Sequence, residues 1–509
     1  MSKYTGISIG PIVKTLSIAR KPRELWSASY MFSHLMSCII SALPKSAVVV
    51  SPAKLQTKKN SVGLYPDRLF FKGDGIVIQE VIAAAFDKFQ KETNLNITTI
   101  RNYFNVMSIT DCVSNNSDSE AVNKLNRKLD VIELCSRPIS SDAIIEVSNL
   151  IKNVYTSSLF KVAFDENKFP IGTLGEIATY ELKKDDEKSW NEAKDSGQLI
   201  ERMNEQLPAD YKIFEEDNFY QSLKALFWKK YKSYHKYICI VQADGDNMGK
   251  VVSNVPDNKL QDLSESLLNF GTSACEKIKT FGGLPIYAGG DDLLFIAPVK
   301  SFGDKTIFDL LVEIDSEYKM IEDKVESYEL EEKGQKLLTS MSYGLSITYY
   351  KYPLYEALET ARNLLFIDAK TKVTGKNAVA WNLQRHSGSS FCGRFSKTGE
   401  IYSHFKEIVS QSVDDNIVSA VAHKIRHNES LLEIVRTDKE HVTERVDAFY
   451  KKIMEIEAKN PQESQYLEAT KTMLLTLFKQ DGSIDDIVKT MYGMLCTAKF
   501  INGEEDKHE

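Results

Sequence analysis

The stretch "YAGGDDLLFI", Tyr287–Ile296, sets two glycines and two adjacent aspartates between short apolar runs. Glycine supplies a turn and the apolar flanks supply strands, so the pattern predicts a hairpin. Taken alone, it is an ordinary solvated turn. Whether Asp291 and Asp292 do more depends on what the rest of the chain brings beside them.

The nearest strong signal lies upstream. "YICIVQADGDNMGKVV" reads as a buried strand from Tyr237 that ends in Asp244-Gly245-Asp246. A helix over about 258–280 follows, then the hairpin and a helix over about 301–332. "TSMSYGLSITYY" is a strand, "PLYEALETARNLLFIDAKT" is a helix with Pro353 in its first turn, and "NAVAWNLQ" is a last strand. If the hairpin lies beside the 237–243 strand in one sheet, Asp244, Asp291 and Asp292 converge. Carboxylates so close repel one another unless a cation compensates. An all-oxygen ligand set suits Mg²⁺ or Mn²⁺. Two such ions about 3.5–4 Å apart activate a 3′-hydroxyl and stabilise departing pyrophosphate. Either acidic pair alone is weak; both together, in this order and on these element ends, read as a two-metal site. Gly289 and Gly290 would let a nucleotide approach the backbone without a Cβ clash. A triphosphate also needs cationic partners, and Lys370, Lys372 and Lys376 lie in "DAKTKVTGKNAVAW"; Lys376 is the first choice among them.

Upstream of 237 the pattern is looser. "YTGISIGPIV" reads as a strand, "TLSIARKPRELWSASYMFSHLMSCIISAL" as a helix and "SAVVVSP" as a buried strand. "GLYPDRLFFKGDG" is turn-rich around another short strand, and 76–107 reads as one long amphipathic helix. "SNNSDSE" and "DENKFPIGTLGE" read as loops, and "ELKKDDEKSWNEAKDSGQ" as a solvated charged stretch. A strand leading into a helix opens both the N-terminus and the segment from 237, which suggests an internal repeat. In the first copy Ser8, Gly10 and Pro11 stand where the second has aspartates. Residues 398–503 are helical in period, and the tail "NGEEDKHE" reads as frayed.

Bulk properties set outer limits. The chain has 509 residues, room for about three domains. With 64 basic against 71 acidic residues the net charge is −7, which excludes a uniformly basic nucleic-acid coat but not a local basic groove. The seven cysteines form no Cys-x-x-Cys pair, so no zinc site is expected and free thiols in a reducing cytosol are. No signal peptide is visible. The apolar run near Leu35–Leu43 is broken by Ser37 and Ser41 and stopped by Pro44, too short for a bilayer, so the expectation is a cytoplasmic protein with no membrane partner.

"ADGDNMGK", "YAGGDDLLFI", "SYGLSITYYKYPLYEALETARNLLFIDAK" and "GKNAVAW" together resemble the large polymerase/cyclase subunit of type III CRISPR effector complexes. "ISIGPIVKTLSIARKPRELWSASYMFSHL" looks like the opening of its Cmr-type (III-B) branch. The resemblance implies an α+β chain with two ferredoxin-like palm (nucleotide cyclase/polymerase) domains. A degenerate palm would cover 1–135, a helical linker domain 136–228, a catalytic palm 229–388 and a helical C-terminal domain 389–509. It implies target-RNA-activated conversion of ATP into a signalling nucleotide, usually cyclic oligoadenylate. Guide RNA, target RNA and other Cmr-type subunits are the implied partners; the chain is not expected to act alone. Carried over by motif, Asp244 and Asp291 would hold metal, with help from the Gly245 carbonyl. Asp292 would hold metal or assist the attacking hydroxyl, and Asp246 is a further candidate.

Departures from that family narrow the expectation. Relatives often carry a histidine–aspartate nuclease domain, but this chain begins at the first palm, has no His-Asp dipeptide and scatters its eight histidines, so no DNase activity is expected. A four-cysteine zinc site in the linker is also not expected, because Cys112 and Cys135 are isolated. Some nuclease-lacking relatives join AMP to S-adenosylmethionine instead of cyclising ATP, and "GLYPDRLFFKGDG" is a candidate lining for that acceptor's pocket. A free-standing diguanylate-type cyclase would share the hairpin but leave the N-terminal half unexplained. A scaffold with a vestigial palm would not need Asp244, Asp291 and Asp292 together. Trp26 and Arg23 in "ARKPRELW" read as a packed helix face or an interface.

Overall fold

A computed structural model describes residues 2–502 apart from 54–61, 114–116, 136–137, 155–156, 164–171, 201–211, 215, 412, 455 and 457. The tail at 503–509 lies outside the described residues, as do 114–116 and 165–171 of the two expected polar loops; the ends of both loops, Asp118–Glu120 and Leu174–Glu176, are helical instead. The internal repeat is visible in the sheet topology. In the first copy β1 (Ser2–Gly10) is followed by α1 (Pro22–Ala42), β2 (Val48–Ser51), β3 (Arg68–Lys72), α2 (Ile78–Thr93) and β4 (Asn105–Val113), and the sheet order is β2-β3-β1-β4. A helix α3 (Asp118–Glu133) follows. The second copy runs β5 (Tyr237–Gly245), α4 (Asp257–Phe281), β6 (Leu284–Gly289), β7 (Asp292–Pro298), α5 (Ile307–Ser327) and β8 (Met341–Tyr349), and its strands β8-β5-β7-β6 repeat the same order. Both are ferredoxin-like, with the first strand held antiparallel between two others.

Side-chain alternation decides which face each copy shows the other. Along β5, Cys239, Val241 and Ala243 pack with Leu263, Phe270 and Ile314 of α4 and α5. The opposite set, Ile238 and Ile240, packs with Ile286, Leu294 and Ile296 and with Leu25, Trp26 and Phe32 of α1. The second sheet is thus buried on both faces, and α1 of the first copy lies against it. Trp26 is fully buried in this interface, the packed-face reading rather than an exposed one. A bridge between Gly63 and Tyr287, with Ala288 N–H donating to Gly63 O at 3.1 Å, joins the β2–β3 connection to β6.

Three expectations are corrected. The expected single helix over 76–107 is α2, a short helix at Ile97–Tyr103 and then β4. Asn94 ends α2 in the left-handed region at φ 58, and the Asn96 side chain accepts from Thr98 N–H to start the next helix. The charged stretch at 181–198 folds into helices at Tyr180–Asp185 and Glu187–Gly197, anchored by the fully buried Trp190. Past α6 (Leu354–Asn363), β9 (Ala378–Gln384) pairs parallel to β8, but it is not the last strand. β10 (Ser390–Ser396) adds antiparallel to β9, so the sheet reaches past residue 388. The helix α7 (Ile484–Asn502) packs on β10, and Trp381 Nε1–H donates to Thr497 Oγ1 at 3.0 Å. Among the described residues no helix is long and apolar enough to cross a membrane.

Candidate active site

The hairpin turn is two residues long: Gly289 pairs with Asp292, leaving Gly290 and Asp291 between them. Gly290 has φ +74, which places glycine where a two-residue hairpin needs positive φ at its first central position. Open space surrounds it, whereas a Cβ on Gly289 would fall 2.0 Å from the Tyr287 hydroxyl. The room at Gly289 is therefore taken by the Tyr287 ring, and Gly290 is the glycine that leaves the turn open.

β7 is antiparallel to β5, with Ala243 opposite Leu293. One step further that register sets Asp244 opposite Asp292, both on the face turned to the first copy. Asp291 folds back under the end of β5. A Cβ on Gly245 would meet Asp291 Oδ2 at 2.6 Å and the Tyr318 hydroxyl at 2.7 Å, so only glycine allows this approach. The three expected carboxylates thus come together at one sheet edge. Burial, and then the neighbouring Asp292, raises the Asp291 carboxyl to about 8, and burial raises Asp292 to about 7.

The lysine nearest this cluster is Lys370, not Lys376. Its ammonium pairs with the Asp244 carboxylate and donates to Gly245 O at 3.0 Å; Asp246 Oδ1 lies 3.5 Å away. Burial first, and then Lys376, lowers it to about 7. A π-helical turn at Leu364–Ala369 continues α6 and delivers Lys370 over the site. Lys376 instead bonds Asn247 Oδ1 at 3.0 Å, and Lys372 pairs with Asp368 at 2.7 Å, half exposed and away from the carboxylates.

One oxygen of Asp246 braces the scaffold. It is 1% exposed, and its Oδ2 accepts from Ser340 Oγ, Ser342 Oγ and Asn377 N–H at 2.7, 2.8 and 2.9 Å. That pins a loop in which Gly375, Lys376 and Asn377 all have positive φ. Its Oδ1 accepts no hydrogen bond among the described residues. Replacing Lys370 by Met removes the cation from a half-buried acidic cluster and should destabilise the metal-free protein by about 1–2 kcal/mol, read as a lower urea midpoint at unchanged slope.

Donor chemistry fits hard divalent cations. Asp244, Asp291, Asp292 and the Gly245 carbonyl offer only oxygen, two of the carboxyls hold raised pKa values, and an ammonium already lies against the Asp244 carboxylate and the Gly245 carbonyl. Beside them is a cavity of about 210 Å³ between the two copies, lined by Ile9, Phe32, Tyr65, Asp67, Tyr287 and Asp292 among others. "GLYPDRLFFKGDG" therefore does reach this cavity, through Tyr65, Pro66 and Asp67. Burial raises the Asp67 carboxyl to about 6; Arg68 opposes that and Asp292 adds to it. Sequence reading passes over Asp67 and ranks Lys370 behind Lys376. Asp67 was quoted only within a turn, and Lys370 differs from its neighbouring lysines only through the π-helical turn.

Sequence and structure comparisons bear on the family and the fold. The pattern described as "Cas10/Cmr2, second palm domain" matches residues 237–380, and "CRISPR-associated protein Cmr2, N-terminal" matches 4–111. The "CRISPR system Cmr subunit Cmr2" of Pyrococcus furiosus is 34% identical over 184 residues, covering 31% of this chain and 19% of that protein. A structure of the type III-B Cmr-beta assembly in its apo state superposes with a TM-score of 0.55 at 10% identity, over 97% of this chain and 82% of that one. A Csm1-Csm4 cassette solved in complex with cA4 gives 0.51 at 12% identity, over 99% and 70%. With both domain patterns present in that order on this fold, the chain belongs to the Cas10/Cmr2 family, of the Cmr (type III-B) kind.

Proposed function

We propose that this chain is a nucleotidyltransferase which, in an effector complex with guide RNA, target RNA and other Cmr-type subunits, converts ATP into a signalling nucleotide such as cyclic oligoadenylate. One observation carries the reading: Asp244, Asp291 and Asp292 meet at the sheet edge that opens onto the cavity between the two copies. Two Mg²⁺ or Mn²⁺ ions held there would activate a 3′-hydroxyl and stabilise departing pyrophosphate. The chain's own groups prepare that step. Gly290 leaves backbone space for a phosphate. Lys370 sits ready to exchange its carboxylate contact for a phosphate contact as negative charge arrives. Ile9, Phe32 and Tyr287 give the cavity apolar walls that restrict water. Asp292 faces both the sheet edge and the cavity, so it can contact both the ligands and the acceptor.

A second acceptor has one specific observation in its favour. Asp67 places a carboxyl in the cavity, beside Asp292, which suits a cationic acceptor such as the amine and sulfonium of S-adenosylmethionine. Mass spectrometry of the product made by the reconstituted complex, with ATP alone and with S-adenosylmethionine added, separates the two. Asp67→Asn should cut conjugate formation by at least about tenfold, the loss of one charge-assisted contact, and leave an ATP-only product within about twofold. Equal loss of both products would assign Asp67 to the fold instead.

A further inference from the structure

A second group of metal-ligand residues lies in the first copy, away from the carboxylate edge. His34 and Cys38 are four residues apart on α1, so both point the same way. Glu92, near the end of α2, faces them: its Oε2 pairs with His34 Nε2 and lies 3.9 Å from Cys38 Sγ. One ligand atom from each of the three residues lies within 4.8 Å of the other two. In a tetrahedral zinc site, bond lengths of about 2.0–2.3 Å separate neighbouring ligand atoms by about 3.3–3.8 Å. Small side-chain adjustments would close this group onto one ion.

We propose that His34, Cys38 and Glu92 form a binding site for one divalent transition-metal ion, zinc by preference. A thiolate and an imidazole select against Mg²⁺ and Mn²⁺, which separates this site from the all-oxygen edge at Asp244, Asp291 and Asp292. Charge favours it as well. On binding, the Cys38 S–H proton passes to solvent and a metal–sulfur bond forms; thiolate and carboxylate together then cancel the ion's two positive charges. Cys38 is fully buried while the His34 and Glu92 side chains are 18% and 35% exposed, so ions can enter and a fourth position is open to water. Tyr30 stacks near the His34 ring at 6.0 Å and holds its orientation. The Glu92 carbonyl accepts from Ser158 Oγ at 2.5 Å, so an ion here would tie α1 and α2 to the helical segment at Ser158–Ala163. The absence of Cys-x-x-Cys pairs hides this set in the sequence, because two ligands share one helix and the third lies on another.

The test uses the full-length chain, stripped with chelator and titrated with Co²⁺. The expected result is a near-ultraviolet thiolate-to-cobalt band that saturates at one equivalent and that Zn²⁺ displaces. Cys38→Ser should abolish the band, and His34→Ala and Glu92→Gln should each weaken binding at least tenfold while circular dichroism shows the helices intact. Asp291→Asn with Asp292→Asn should leave the band unchanged, since it touches only the other site. No thiolate band in the unmodified chain, or a band that survives Cys38→Ser, would overturn the proposal whatever the complex does with ATP.

Discussion

Replacing Asp291 and Asp292 together by Asn should lower product formation by at least about 10³-fold, on the order of 4 kcal/mol of barrier, while the complex still assembles. The same change should stabilise the metal-free chain. Both carboxyls are raised, to about 8 and about 7, by burial and, at Asp291, by the neighbouring charge. Between the ordinary carboxylate range and pH 8 the unfolded chain has lost these protons and the folded chain has not. Stability therefore falls as pH rises across that window, and it is least affected near pH 4. Asn carries no such penalty, so the double variant should melt at least about 2 °C above the parent at pH 8 and differ less at pH 5. Mg²⁺ or Mn²⁺ should close that gap by raising the parent alone, with tighter binding at pH 8.5 than at pH 6.5 because the carboxyls must shed protons to ligate. A chain that merely tolerates an acidic turn would show no pH-dependent difference.

The second large effect is expected at a position remote from any ligand. Gly344 lies in the middle of β8, and a Cβ there would come 2.2 Å from Ala361 O and 2.4 Å from Leu365 N. Both are backbone atoms, which cannot rotate away. Gly344→Ala must lift the end of α6 and the π-helical turn off the sheet, at a cost of about 3 kcal/mol. That turn carries Lys370, so the displacement should also break its contacts to Asp244 and Gly245. The expected outcome is a lower urea midpoint together with activity reduced beyond what the unfolded fraction explains. Lys370→Met would lose the cation without displacing the turn, so comparing the two variants separates the helix position from the charge.

Much of the second copy is legible because its strands are buried on both faces. "YICIVQADG" and "YAGGDDLLFI" have the continuous apolar character of central strands, and Gly290 with Asp291 is a turn that names itself. Once those two are neighbours, the meeting of Asp244 with Asp292 follows from register alone. The first copy is harder to read. Its β4 is half polar, "NVMSITDCV", and hides behind the helical period of α2 until Asn94 and Asn96 are recognised as an end and a beginning. β10 is missed for a similar reason: "SFCGRFS" has no buried run, since only Phe395 is fully buried. Lys370 and Asp67 depend on tertiary placement, by a π-helical turn in one case and by the packing of two copies in the other. Asp246 carries a second role that its motif does not announce: two serine hydroxyls and the Asn377 N–H donate to its Oδ2, while Oδ1 faces Lys370 at 3.5 Å.

The Asp244, Asp291 and Asp292 edge should convert ATP when target RNA is bound. The most direct measurement incubates the assembled complex with guide RNA and labelled ATP, with and without target RNA, in Mg²⁺ and in Mn²⁺. The expected result is release of pyrophosphate and a labelled adenylate product that requires target RNA and disappears in the Asp291→Asn, Asp292→Asn complex. No nucleotide product under either ion, or a product made from GTP by the chain without guide RNA, would contradict it.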